Sequence, residues 1–123
     1  MARWNPLAGS LITALVFTGI HLPLTFEGAG TAGQVIRNIL IVACAATGLR
    51  LLIARMDPWS GRSLLVIGIL HSSFNATESL IDPAYDWIRV TMTVIAGVAL
   101  FAVGSRFRPV SYTHLTLPTT PYV

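Results

Sequence analysis

Ser63 to Thr77 is a run of fifteen residues without a charged side chain, yet His71, Ser72, Ser73 and Asn75 lie inside it. Polar groups set in such a run constrain the fold tightly. Lipid offers them no partners, so a segment at membrane depth must satisfy its backbone as a helix and its polar side chains from neighbouring elements. On a helix His71 and Asn75 are i and i+4, one turn apart on the same face. Upstream, in LVFTGIHLP, Phe17 and His21 repeat that spacing. The pattern predicts a bundle that brings these two helix faces together inside a bilayer.

Composition agrees with a bilayer setting. Only 11% of the 123 residues are charged and 54% are hydrophobic, whereas a soluble domain carries about 25% charge. The expected class is all-α, a polytopic membrane helix bundle of about four transmembrane helices. The net charge of +3 comes from arginines without a basic cluster interleaved with aromatics, so nucleic acid is not an expected partner. Cys44 is the single cysteine, which excludes a disulfide framework; in its apolar run it reads as a small buried hydrophobe.

In chain order, Asn5 to Phe26 is free of charge for 22 residues, enough to cross about 30 Å of hydrocarbon. Pro6 suits a first helical turn, and Pro23 ends or kinks the helix just after His21. EGAGTAG reads as a loop. Its Gly28, Gly30 and Gly33 spell G-x-G-x-x-G, but an apolar helix precedes them instead of the strand that a dinucleotide fingerprint needs. A second span covers about Val35 to Ala54, with Arg37 and Arg50 near its ends and able to snorkel outward. MDPWSGR is a tight turn whose Asp-Pro stops that helix. The third span, Ser63 to about Glu78, is short for a lipid-facing helix. IDPAYDW is a second turn, and Ile88 to Ser105 is the fourth span, apolar apart from Arg89.

If the spans alternate sides, the charges sort. One side collects Arg3, Arg50, Arg55, Arg62, Arg106 and Arg108 against Asp57 alone; the other holds Glu27, Glu78, Asp82 and Asp86 against Arg37 and Arg89. The positive-inside rule makes the first side cytoplasmic. Residues 110–123, VSYTHLTLPTTPYV, carry no charge and no helical period. Their SYTHLTLPTT resembles the translation of a sequencing-library adapter, so 110–123 is expected to be a non-native tail, and His114 is kept out of the chemistry.

Intramembrane ionisable residues are functional candidates by default. At 1.5 Å per residue His21 lies about 22 Å up the first helix and Asn75 about 18 Å up the third, with His71 one turn below. The bland reading of either histidine is a hydrogen bond to a nearby carbonyl or hydroxyl. Two histidines on separate helices, one with an in-phase Asn75, favour a shared site instead. Glu78, at i+7 from His71, reads as an exposed acid at the helix end. Asn75-Ala76-Thr77 is a sequon at an implausible depth. Thr13, Thr18, Thr47, Thr91 and Thr93 are expected to bond their own helix backbones.

Phe17-Thr18-Gly19-Ile20-His21 matches F-x-x-x-H, and His71-Ser72-Ser73-Phe74-Asn75 matches H-x-x-x-N. In that order, on alternate hydrophobic helices, they resemble the second and third motifs of the CAAX prenyl endopeptidase and bacteriocin-processing (CPBP, or Abi) family of intramembrane proteases. ARWNPL, HLPL and GRSLLVIGILHSSFNAT read like its bacterial members, and the resemblance covers residues 1–109. It implies a multi-pass protein of the bacterial inner membrane that hydrolyses peptide bonds of membrane-associated peptide or protein substrates. His21, His71 and Asn75 would be its catalytic residues, with Phe17 in support. It further implies a glutamate that activates water, while the His and Asn side chains position that water and stabilise the oxyanion. No cofactor is implied; an older view of the family makes the same residues zinc ligands. The family's first motif, E-E-x-x-x-R, has no counterpart here, since no two acids are adjacent. It would precede Met1, so the expectation is the C-terminal part of a longer protease, inactive by itself. Two other readings stay open: a non-enzymatic bacteriocin-immunity or transporter-like subunit, and a haem held by the histidine pair.

The charge sorting makes a topological prediction. In a Cys44→Ala background, single cysteines at Gly61 and Ala84 should react with an impermeant maleimide from opposite sides of the membrane. Labelling of both from one side would overturn the alternation of spans.

Overall fold

The computed structural model describes residues 5–104, which form four α-helices and two short 3₁₀ turns, with no strand among the described residues. Helix α1 is Pro6–His21, α2 Ala32–Trp59, α3 Leu64–Leu80 and α4 Asp86–Gly104; the 3₁₀ turns are Leu22–Phe26 and Pro83–Tyr85. The expectations for residues 110–123, and for Arg3, Arg106 and Arg108, lie outside the described residues.

Local chemistry sets the ends. At α1, Asn5 Oδ1 accepts from the Leu7 N–H at 3.0 Å and Pro6 takes the first turn. Pro23 then acts as anticipated: the α-helix stops at His21 and the chain tightens into the 3₁₀ turn. The glycine-rich stretch is less of a loop than its composition suggests. Thr31 Oγ1 accepts from Gln34 N–H while Gln34 Oε1 accepts from Thr31 N–H at 3.1 Å, a capping box that starts α2 inside that stretch. The Asp57-Pro58 pair does not stop α2, which continues to Trp59. A proline φ is helical, and with Pro58 next to last the helix gives up the single bond that its N–H would have made to the carbonyl four residues back. The stop comes at Gly61 and Arg62, with φ of +64° and +62°. A cysteine at Gly61 would therefore be strained by roughly 1–2 kcal/mol, and Ser60 reports on the same turn without that cost.

Helix α2 is the spine. Helix α4 packs along it, α1 lies on it as well, and α3 touches it only lightly. Helices α2 and α4 run parallel in a steady register. Arg37 Nη2 donates to Pro83 O at 3.2 Å and Arg55 Nη2 to Phe101 O at 3.0 Å, each across 46 residues. Between these, a Cβ on Gly48 would sit 2.8 Å from Val94 N, and one on Gly97 would sit 2.6 Å from Gly48 O. Without a hydrophobic drive between helices in lipid, contact depends on such small residues letting backbones meet.

The buried apolar residues, Ala14, Ala46, Leu49, Leu51 and Val90, line the contacts of α1 and α4 with α2, while Leu15, Ile20, Leu64 and Leu65 point outward. An outward apolar surface of this kind fits acyl chains. Three units are long and apolar enough to cross a membrane: Pro6–Phe26, Ala32–Trp59 and Pro83–Gly104. Helix α3, at 17 residues, reaches about 25 Å and falls short of a full span. The four-helix bundle is therefore three crossing units and one shorter helix.

Two side-chain expectations are corrected. Cys44 is exposed on the outer face of α2, because the interior of the α2–α4 contact is taken by glycine and leaves no room for a side chain there. Arg50 does not simply snorkel outward: its guanidinium lies 6.0 Å from the centroid of the Phe17 ring, drawn to an aromatic face that α1 presents. Four of the five threonines behave as anticipated, Thr13, Thr18, Thr47 and Thr93 each donating to a carbonyl four residues back.

The glycine seam predicts a contrast between two alanine substitutions. Gly97→Ala drives a methyl into the Gly48 carbonyl and should destabilise the bundle by about 1–3 kcal/mol, as overpacking does. Gly68→Ala, with nothing within 4 Å, should stabilise α3 by about 0.5–1 kcal/mol. Thermal unfolding in detergent checks both; equal midpoints for Gly97→Ala and the parent would rule out the seam.

Candidate functional site

A cavity of about 270 Å³ opens where the ends of α1 and α3 meet the beginnings of α2 and α4. All four of these termini belong to the acidic, non-cytoplasmic side in the charge sorting. Phe17, His21, Asn38, Phe74, Asn75 and Arg89 are among its lining residues.

His21 closes α1. Its Nδ1 lies 2.9 Å from Phe17 O. A carbonyl only accepts, so Nδ1 carries the proton and Nε2 of the neutral ring is left with its lone pair. The Phe17 ring stacks on the imidazole at 4.0 Å between centroids. Backbone and ring together fix the orientation of His21, which explains a Phe four residues before a His. The 3₁₀ turn after it is anchored too: Asn38 Nδ2, from α2, donates to Thr25 O at 3.1 Å, and Thr25 is buried.

Asn75 faces the same cavity from α3, exposed, and its side chain makes no hydrogen bond to protein among the described residues. Both its amide donor and its amide oxygen are open toward the cavity. His71 stands one step back. It does not line the cavity; its ring meets the edge of Phe17, with centroids 6.2 Å apart at 69°. The structure thus brings His21 and Asn75 onto one cavity and places His71 behind Phe17. The expected pairing of the first and third helices as packed neighbours gives way to a meeting of side chains only. The reason is that α2, with its small residues, takes α1 for itself.

The residue that pattern reading passed over is Arg89. Its side chain is only 7% exposed, in a helix that is otherwise apolar. Nε donates to Asp86 Oδ1 at 2.9 Å, Nη2 sits 2.7 Å from the same oxygen, and Nη1 donates to Phe74 O at 3.3 Å. The guanidinium also covers the Phe74 ring at 4.5 Å and lies 3.8 Å from Glu78, whose side chain is 65% exposed. Asp86 holds the arginine on α4; the arginine holds α3 by the carbonyl and ring of the residue just before Asn75. Since α3 has no buried residue of its own, this clamp is what fixes Asn75 at the cavity. The signal in the sequence was an Asp86–Arg89 pair at i, i+3 opening an apolar helix, which reads equally as a surface pair.

For zinc, three protein ligands around an open position are the usual requirement. Among the described residues no three His, Cys, Asp or Glu side chains gather in a metal-holding group, and Asp86 is committed to Arg89. No family model, curated protein or solved structure matches the chain.

The Arg89 clamp can be tested by distance. With spin labels at Leu15 on α1 and Ser79 on α3, in a Cys44→Ala background, Arg89→Met should broaden a narrow α1–α3 distribution. Glu78→Gln, which removes an exposed pair worth on the order of 0–1 kcal/mol, should leave it nearly unchanged. An unaltered distribution in Arg89→Met would show that α3 is held by something else.

Proposed function

We propose that this chain carries the His–Asn half of a membrane-embedded peptidase site of the CAAX-protease type, acting on peptides presented at the membrane. The supporting observation is that His21 and Asn75, from two separate helices, open onto one cavity with complementary free groups. His21 Nε2 is a lone-pair acceptor held in place by Nδ1–H to Phe17 O, suited to hold a water by one of its protons. Asn75 supplies an amide N–H₂, the donor type that stabilises an oxyanion as charge develops on a peptide carbonyl oxygen. The tautomer separates the two roles: neutral His21 accepts, and Asn75 donates. His71, behind Phe17, would keep that ring against His21 and so act through positioning.

His21 is given the holding of the water, and removal of its proton is assigned to the acidic motif that the family resemblance implies. The water's proton would go to a glutamate on a helix preceding residue 1, the hydroxide would add to the carbonyl carbon, and the leaving amine would take the proton back. The localisation that accompanies this reading is a bacterial inner membrane, with the cavity on the non-cytoplasmic side.

Its test is reconstitution. The chain alone should show no peptidase activity above background. Joined to an upstream helix bearing E-E-x-x-x-R, it should cleave a membrane-anchored reporter peptide. Asn75→Ala should then lose about 10²–10³ in kcat, the usual worth of one oxyanion donor. A reconstituted Asn75→Ala protein with full activity would sink the assignment.

A further inference from the structure

A second concavity, of about 300 Å³, is lined by Leu40, Ile41 and Cys44 of α2 and by Trp87, Thr91 and Val94 of α4, among others. The α2 residues continue a stripe upward: Arg37, Leu40, Ile41 and Cys44 follow i, i+3, i+4, i+7 and share a helix face. Since α2 and α4 run parallel, Arg37 stands at the level of Pro83, to whose carbonyl it donates from Nη2, just above the Trp87 end of the groove. Arg37 is exposed, as are Tyr85 and Trp87. A cation with two aromatics at the head of an apolar groove, on a helix pair that crosses the bilayer, is the arrangement found at the headgroup level.

We propose that this groove binds one glycerophospholipid of the non-cytoplasmic leaflet, with its phosphate on Arg37 and an acyl chain between Cys44 and Ile95. The remaining guanidinium N–H groups of Arg37 are the natural partners of a phosphate. Leu40 and Cys44 lie three and seven residues below Arg37, roughly 4.5 and 10.5 Å at the helical rise, so a phosphate on Arg37 leaves an acyl chain entering the groove from its head. The proposal stands apart from the peptidase reading, because it uses none of His21, His71 or Asn75.

The single native cysteine lies in the groove and reports on it. In a nonionic detergent, addition of dioleoylphosphatidylglycerol should slow alkylation of Cys44 by a small maleimide several-fold in the full chain. Native mass spectrometry should show one retained phospholipid per chain that saturates. Arg37→Gln should reduce both effects several-fold, Arg37→Lys should largely restore them, and Thr91→Trp, which fills the groove, should abolish retention. Dioleoylglycerol, with no phosphate, should not protect Cys44. Protection that is identical in Arg37→Gln, a graded ladder of adducts without a preferred first one, or protection that depends on protein concentration in place of lipid would each overturn the proposal. The last of these would assign the groove to a second copy of the chain. Helix content by circular dichroism, measured on every variant, separates loss of the site from loss of the fold.

Discussion

Backbone meets backbone at Gly48 and Gly97, and the rest of the bundle is arranged around that contact. In water two helices are pressed together by the apolar surface they hide; in lipid that force is absent, since a leucine is as well solvated by acyl chains as by another leucine. What remains is close packing, which grows with the number of atoms in contact and falls steeply with a gap. Glycine at both positions lets α2 and α4 approach until a Cβ on Gly97 would be 2.6 Å from Gly48 O. The parallel register then places Arg37 against Pro83 and Arg55 against Phe101, so each arginine finds a carbonyl instead of facing lipid bare. Arg55 adds the Phe101 ring at 4.1 Å, and Gly104 leaves room for its side chain.

With one flank of α2 given to α4 and another to α1, little is left for α3. That helix has no buried residue and meets its neighbours mainly through side chains. Its attachment at the cavity end is electrostatic, through Arg89, and not a packed face. A buried arginine held by Asp86 and capped by the Phe74 carbonyl is directional in a way that leucine packing is not. It specifies where Phe74, and hence Asn75, must sit. The site therefore depends on two unlike kinds of contact: a close-packed seam that builds the scaffold, and one cation that attaches the lightly packed α3.

How much of this could be read from the residues depends on whether the information is local. The spans were legible because a charge-free apolar run in lipid has one good solution, the helix. Pro23 was legible because its ring acts on its immediate neighbours. The F-x-x-x-H pair was legible as i, i+4. The readings that failed each needed a partner from elsewhere in the chain. Cys44 looked buried because its run is apolar, but which face of α2 is inward is decided by Gly48 and α4. Arg50 looked free to snorkel because nothing nearby in sequence announces the Phe17 ring. Arg89 stood out only as the charge in an apolar span, and its role was not legible because its bond to Phe74 O spans fifteen residues. The Asp57-Pro58 stop failed for the opposite reason, since proline near a helix end is tolerated and the true signal was the glycine three residues on.

Depth resolves the constraint with which the sequence opens. Polar groups in an uncharged run demand partners at the bilayer centre, yet the side chains of His71, Ser72, Ser73 and Asn75 make no hydrogen bond to protein among the described residues. Asn75 is five residues from the end of α3, about 7.5 Å at the helical rise, and His21 is the last residue of α1, so both lie near one membrane face and not at its middle. A 17-residue helix of about 25 Å, too short to fill the hydrocarbon, either thins the bilayer locally or leaves its end within reach of interfacial water. For Asn75 and His21, which line the cavity, partners then come from solvent entering it. The hydrolysis proposed for this site would need that same water, and a site at the bilayer centre would have to import it through lipid. The shortness of α3 is on this argument the feature that gives Asn75 a wet and yet enclosed position beside His21.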